Sequence, residues 1–123
     1  MRCYCGKHGC IETWLSGPGI ATHFGDGSVA ASEIVKRAAS GDSLAERYMQ
    51  RVEDRLARAL ATVINVLDPD VVVLGGGVSN IVRLYENVPK LLPRYVFSEF
   101  VETKIAPNVH GDSSGVRGAA WLW

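Results

Sequence analysis

Leu44, Tyr48, Val52, Leu56, Leu60, Val63, Ile64 and Leu67 recur at helical intervals, which predicts one long helix from Asp42 or Ser43 to Leu67. Its early polar face carries Glu46, Arg47, Arg51, Glu53, Asp54, Arg55 and Arg58 and reads as a solvated surface with i to i+4 pairs. Beyond Ala57 the helix is apolar nearly all round, so its C-terminal half should pack on a sheet or on a partner subunit. Ahead of it, Ala30, Ala31, Ile34, Val35 and Ala38 form the stripe of a shorter helix that ends near Ser40-Gly41, with Ser28 as a candidate cap. Nearer the start, Ile11, Trp14 and Leu15 begin a helix that Ser16-Gly17-Pro18-Gly19 interrupts. A second short apolar stretch runs from Ile20 to Phe24, and Gly25-Asp26-Gly27-Ser28 is a loop.

The pattern changes after Asp68-Pro69-Asp70. Val71-Val72-Val73-Leu74 has no polar alternation and reads as a strand buried on both faces, which argues for α/β architecture. Gly75-Gly76-Gly77 turns the chain, and Val78-Ser79-Asn80 leads into a helix from about Ile81 to Leu92, where Pro89 predicts a kink or an early stop. A second strand is expected around Val101 to Ala106, followed by a loop from Pro107 to Asp112. Ser113 or Ser114 then caps a last short helix, Val116 to Leu122, whose Trp121 and Trp123 read as core or interface aromatics.

Composition narrows the choice of partners. At 123 residues the chain is about one domain, and its 13 basic and 13 acidic residues leave no electrostatic case for nucleic acid or an anionic membrane. A small molecule or another protein is the expected partner. No apolar run approaches the roughly 20 residues of a membrane span, and cysteines and glycines stand where a signal peptide places its apolar stretch. A reducing cytoplasm fits best.

The densest chemistry lies at the N-terminus, where Cys3, Cys5 and Cys10, all the cysteines of the chain, accompany Gly6 and Gly9. Thiolates are soft ligands suited to Zn²⁺, and the glycines let the backbone turn three sulfurs toward one point. A disulfide is the competing reading, against which stand the odd count and the cramped Cys-x-Cys spacing. The fourth ligand is open: His8 crowds the loop, His23 lies at a finger-like interval without the second histidine a finger needs, and His110 is reachable only through the fold. A water or a neighbouring chain could also supply it. Leu74-Gly75-Gly76-Gly77, between a strand and a helix, is equally a tight structural turn and a phosphate approach, being neither a dinucleotide fingerprint nor a P-loop.

Cys3-x-Cys5-Gly6-x-x-Gly9-Cys10-x-Glu12 matches the C-x-C-G-x-x-G-C-x-E signature of the ROK family, which groups repressors, open reading frames and sugar kinases. The stretch from Asn65 to Gly77 resembles that family's C-terminal nucleotide-side strand and turn, and the ending from His110 to Ala120 resembles its bacterial fructokinase branch. The resemblance implies the C-terminal part of an actin-like ATPase (ribonuclease H-like) lobe, α/β, helix-rich with few strands. Residues 1–123 are then one partial domain: a zinc and sugar-site loop over 1–25, helices over 26–67, and nucleotide-side and closing elements over 68–123. It implies a structural Zn²⁺ on Cys3, Cys5 and Cys10, a sugar contact at Glu12, and nucleotide contacts at Gly75, Gly76 and Gly77, with Ser16 and Gly17 facing the same cleft. ATP and Mg²⁺ are the implied cofactors of the intact enzyme and a homodimer its implied assembly. The family's phosphate loop, catalytic aspartate and E-x-G-H segment cannot be located here, so no catalytic residue is assigned and the chain alone is expected to be inactive. The alternative within the resemblance is the ligand-sensing lobe of a sugar-responsive repressor.

Overall fold

The computed structural model describes residues 1–121. Its order is α1 (Glu12–Leu15), α2 (Gly17–Phe24), α3 (Ala31–Ala39), α4 (Ser43–Leu67), β1 (Val71–Leu74), α5 (Arg83–Leu91), β2 (Lys104–Pro107) and α6 (Ser114–Ala120), with 3-10 turns at Gly77–Asn80 and Leu92–Arg94.

The long helix α4 is the axis of the fold. Asp42 starts it as the N-cap, its Oδ1 accepting from the backbone N–H of Leu44 at 2.9 Å and of Ala45 at 3.1 Å. It stops where Asp68 adopts a left-handed conformation (φ 44°) just before Pro69. Tyr48, Met49, Val52, Leu56, Ala57 and Ile64 of α4 are buried in one cluster with Ile20, Ile34, Leu84, Val88 and Leu92. The Tyr48 hydroxyl donates to the buried Ile20 carbonyl at 2.7 Å and ties α4 to α2.

The polar face of α4 is only partly solvated, contrary to its reading as an open surface. Glu53 is 3% exposed, because α5 lies across it: Arg83 donates to Glu53 through Nε and to both carboxylate oxygens of Glu46 at 2.7 and 2.8 Å, and Asn87 donates to Glu53 at 3.0 Å. Helical periodicity cannot distinguish a charge facing water from one facing a partner's charge.

Other departures are local. Ser28 does not cap α3; Ala30 occupies that position, and the Ser28 N–H instead donates to Asp26 Oδ1 at 2.9 Å, closing a turn. Because Gly77–Asn80 form a 3-10 turn, α5 begins at Arg83 rather than Ile81, and it ends two residues after Pro89. The last helix starts at Ser114, two residues before the expected Val116, and Ser113 at its N-cap makes no capping bond through its side chain. Trp121 is 88% exposed and is not a core residue of this chain; Trp123 and Leu122 lie outside the described residues.

The largest difference concerns the sheet. β1 and β2 pair in parallel, Val71 with Lys104 through Leu74 with Pro107, and no third strand joins them among the described residues. Leu74 and Ile105 pack against the helical core, while Val71 and Val73 are 48% and 59% exposed. The expected strand buried on both faces is therefore covered on one face only. Val63, Val66 and Leu67 at the end of α4 are exposed as well. A parallel pair of four-residue strands with an open apolar face is far from the helix-covered sheets in which such runs are normally found.

Candidate functional site

The cysteine loop is built by its backbone. Gly6 and Gly9 take φ of +86° and +73°, a region costly for residues with a Cβ. These two reversals allow Cys3 N–H to donate to Lys7 O at 2.8 Å, Gly6 N–H to Cys3 O at 3.0 Å and Gly9 N–H to Met1 O at 3.0 Å. Three sulfurs converge as a result: the Sγ atoms of Cys3, Cys5 and Cys10 lie within 4.8 Å of one another, with Cys5 and Cys10 at 3.5 Å. Tetrahedral Zn²⁺ with Zn–S of about 2.3 Å places its sulfurs about 3.8 Å apart, so the donor set and spacing fit that ion. The thiols also compete for protons. The Cys5 and Cys3 sulfurs keep the proton on Cys10 and push its thiol up to about 11, whereas the backbone at Lys7, and then Cys10, hold Cys5 below its usual value. No histidine or carboxylate joins the three among the described residues. His8 pairs with Arg2 as a backbone bridge, and His23 lies elsewhere, stacked on Trp14.

The loop feeds directly into α1. Thr13 returns to the Cys10 carbonyl through both its N–H, at 3.0 Å, and its Oγ1, at 2.7 Å. Glu12 sits exposed in this first turn, two residues past the last sulfur, with its backbone fixed by the same bonds.

Ser16 caps α2 by accepting from Gly19 N–H at 3.1 Å, and Gly17 and Pro18 open that helix, so the predicted break is a helix restart. A Cβ on Gly19 would lie 2.5 Å from the Thr13 carbonyl oxygen; α1 and α2 meet too closely there for any side chain.

A stack missed by sequence reasoning supports this corner. The Trp14 ring lies 3.5 Å from the His23 ring at 11°, and the Arg55 guanidinium sits 4.0 Å from the Trp14 ring. Burial, and next the Arg55 charge, keep the His23 imidazole less basic than usual, consistent with a neutral ring in the stack. Trp14, Arg55, Arg58 and Thr62 line a groove of about 590 Å³ that reaches Gly9 and Ile11 of the cysteine loop. Trp14 and His23 belong to different helices, so no periodicity links them.

Gly75, Gly76 and Gly77 follow directly on β1. A Cβ at any of the three meets nothing within 4 Å, so their missing side chains serve no internal contact and the backbone is open to approach. The turn is braced from behind: Ser79 Oγ donates to Gly76 O at 2.7 Å, and Asn108 donates to Leu74 O at 3.1 Å and to Ser79 Oγ at 2.9 Å. Asn80 donates to Asp112 at 3.2 Å, tying the loop before α6 to the end of the 3-10 turn that Gly77 begins. Sequence reasoning did not single out Asn108 or Asp112. Of the predicted site residues, the structure brings the three cysteines together with Glu12 on the turn that follows them, sets the three glycines at the end of β1, and uses Ser16 and Gly17 to start α2.

The model of the ROK family matches residues 1–123, the whole chain. The chain belongs to the ROK family. Among curated relatives it is similar to the N-acetyl-D-glucosamine kinases of Vibrio vulnificus strain YJ016 (42% identical over 125 residues), Vibrio atlanticus strain LGP32 (43% over 125) and Salmonella typhi (40% over 124). These alignments cover 98–99% of the chain but 41% of each relative, so this ROK chain spans about two fifths of their length. Among solved structures, a ROK family glucokinase from Streptomyces griseus in complex with glucose and AMPPNP superposes with a TM-score of 0.80 at 23% identity, over 96% of this chain and 45% of that one. A ROK hexokinase from Thermus thermophilus gives 0.77 at 30% identity, over 98% and 42%. A ROK family transcriptional regulator homologous to the E. coli MLC protein gives 0.70 at 24%, over 87% and 31%. The ROK fold is that of actin-like sugar kinases, of which this chain forms a helix-rich α/β part. These relatives are N-acetylglucosamine kinases, and the fructokinase branch suggested by the chain's ending finds no support in them.

Proposed function

We propose that this chain is the sugar- and zinc-binding part of an ATP-dependent kinase that phosphorylates N-acetyl-D-glucosamine. The observation that carries the reading is the identity of about two residues in five to N-acetyl-D-glucosamine kinases along 99% of the chain. The cysteine geometry supports it locally. Cys3, Cys5 and Cys10 are the residues that hold Zn²⁺, whose role is to fix the loop, and Glu12 follows on the turn that loop anchors.

In this reading the Glu12 carboxylate accepts hydrogen bonds from sugar hydroxyls and sets the sugar's orientation. The backbone of Gly75, Gly76 and Gly77 faces the ATP phosphates, and the bracing by Ser79 and Asn108 keeps that backbone in one conformation. Ser16 and Gly17 border the same cleft. Mg²⁺ and ATP supply the charge neutralisation and the transferred group in the intact enzyme. The general base belongs to the part of the relatives that this chain does not match, so the chain by itself transfers no phosphoryl group. Exposed Val66, Leu67, Val71 and Val73 form the face that the remainder of the kinase covers, and two such proteins pair as a homodimer.

The test is a protein in which the chain is joined to the unmatched part of the Vibrio vulnificus relative. Glu12→Gln in that protein should raise KM for the sugar about 10- to 100-fold, the worth of a hydrogen bond to a charged acceptor, and change KM for ATP less than twofold. Equal loss for both ligands refutes the assignment of Glu12.

The superposition on a ROK transcriptional regulator favours a second reading, the sugar-sensing lobe of a repressor. It predicts sugar binding that changes affinity for DNA without consumption of ATP.

A further inference from the structure

We propose that Cys5 and Cys10 form a peroxide-oxidisable dithiol that closes to a disulfide and leaves Cys3 reduced. Their Sγ atoms are 3.5 Å apart, so a bond of about 2.05 Å requires the two sulfurs to approach by about 1.5 Å. Cys5 is exposed, which gives a small oxidant access, whereas Cys3 is only 5% exposed. The objection raised by an odd cysteine count and a cramped Cys-x-Cys applies to Cys3 with Cys5. It does not apply to Cys5 with Cys10, which are separated by four residues that include both left-handed glycines.

The chemistry is balanced with hydrogen peroxide as the oxidant. The Cys5 thiol attacks one peroxide oxygen, the O–O bond breaks, and Cys5 sulfenic acid and one water result. Cys10 then attacks the Cys5 sulfur, the S–O bond breaks, and a second water leaves as the disulfide forms. Each sulfur loses one electron and the two peroxide oxygens gain one each. Wherever the three thiolates hold a metal, this bond removes two of the ligands, so oxidation releases the ion. The bond formation rests on the sulfur geometry alone; only the release rests on the zinc reading.

The metal-free chain is treated with hydrogen peroxide, its remaining thiols are alkylated, and tryptic peptides are mapped by tandem mass spectrometry. The expected product is a reducible link between the Cys3–Lys7 and His8–Lys36 peptides, lighter by two hydrogens, with Cys3 alkylated. Cys3→Ser should keep the link and Cys5→Ser should lose it; fragmentation of the wild-type peptide locates the bond even where a variant fails to fold. A link through Cys3, a link between two chains, or Cys5 sulfinic acid with no link overturns the proposal. A zinc-loaded sample should release its zinc to a chromogenic chelator in step with the link. Zinc binding without link formation overturns this inference and leaves the zinc reading intact; link formation in a chain that binds no zinc does the reverse.

Discussion

Replacing Arg83 by Met cuts the clamp between α5 and α4. The guanidinium, raised in basicity chiefly by its bonds to Glu46, holds Glu46 with two oxygens and Glu53 with one. Without it the Glu53 carboxylate, 3% exposed, keeps only the Asn87 amide at 3.0 Å. Removing one partner of a buried ion pair costs about 3–5 kcal/mol, a large share of the roughly 5–15 kcal/mol that holds a small domain. The cost comes from a stranded charge, so Arg83→Met combined with Glu53→Leu should recover all but about 1 kcal/mol of it. Urea unfolding of the wild type, the single variant and the double variant measures both quantities. Glu46 adds a signature in pH. Arg83 holds its carboxyl below the ordinary value, so the folded form is favoured above about pH 4.3 and loses that contribution as pH falls through the depressed folded value. The single variant should lose this dependence and show a flatter acid limb. A loss below about 1 kcal/mol for Arg83→Met, or a double variant as unstable as the single, refutes the reasoning.

Gly19→Ala drives a methyl to 2.5 Å from the Thr13 carbonyl and should destabilise the α1–α2 corner by about 1–3 kcal/mol in thermal unfolding, loosening the turn that carries Glu12. Tyr48→Phe removes the hydroxyl bond to the Ile20 carbonyl, which keeps its place in α2, and should cost about 0.5–1.5 kcal/mol in urea, with no change in slope. Replacing exposed Val66 and Leu67 by Gln should change the stability of this chain by no more than about 0.5 kcal/mol, yet weaken its association with the unmatched remainder of a relative, read by co-purification.

The helices were legible where local chemistry and burial agreed. The apolar positions of α4 and the stop at Asp68-Pro69 are one-dimensional signals, and α4 runs from Ser43 to Leu67 as they dictate, with Asp42, one of the two expected first residues, as its cap. The convergence of the cysteines was legible for the same reason, since all three fall within eight positions and Gly6 and Gly9 announce the reversals. What depended on a distant partner was not. Glu53 looked like a surface charge until Arg83 was placed 30 residues away, and Trp14 was only an apolar position of a short helix until His23 and Arg55 were placed against its ring. Val71 and Val73 carry the pattern of a strand covered on both sides, and among the described residues one face alone is covered. That uncovered face agrees with a chain spanning about two fifths of its relatives.

The most direct measurement joins this chain to the unmatched part of the Vibrio vulnificus N-acetyl-D-glucosamine kinase and follows ADP release with N-acetyl-D-glucosamine, glucose and fructose. ADP release should depend on sugar, be greatest with N-acetyl-D-glucosamine and fall when zinc is stripped from Cys3, Cys5 and Cys10. A folded, zinc-loaded protein that binds the sugar and releases no ADP contradicts the kinase reading.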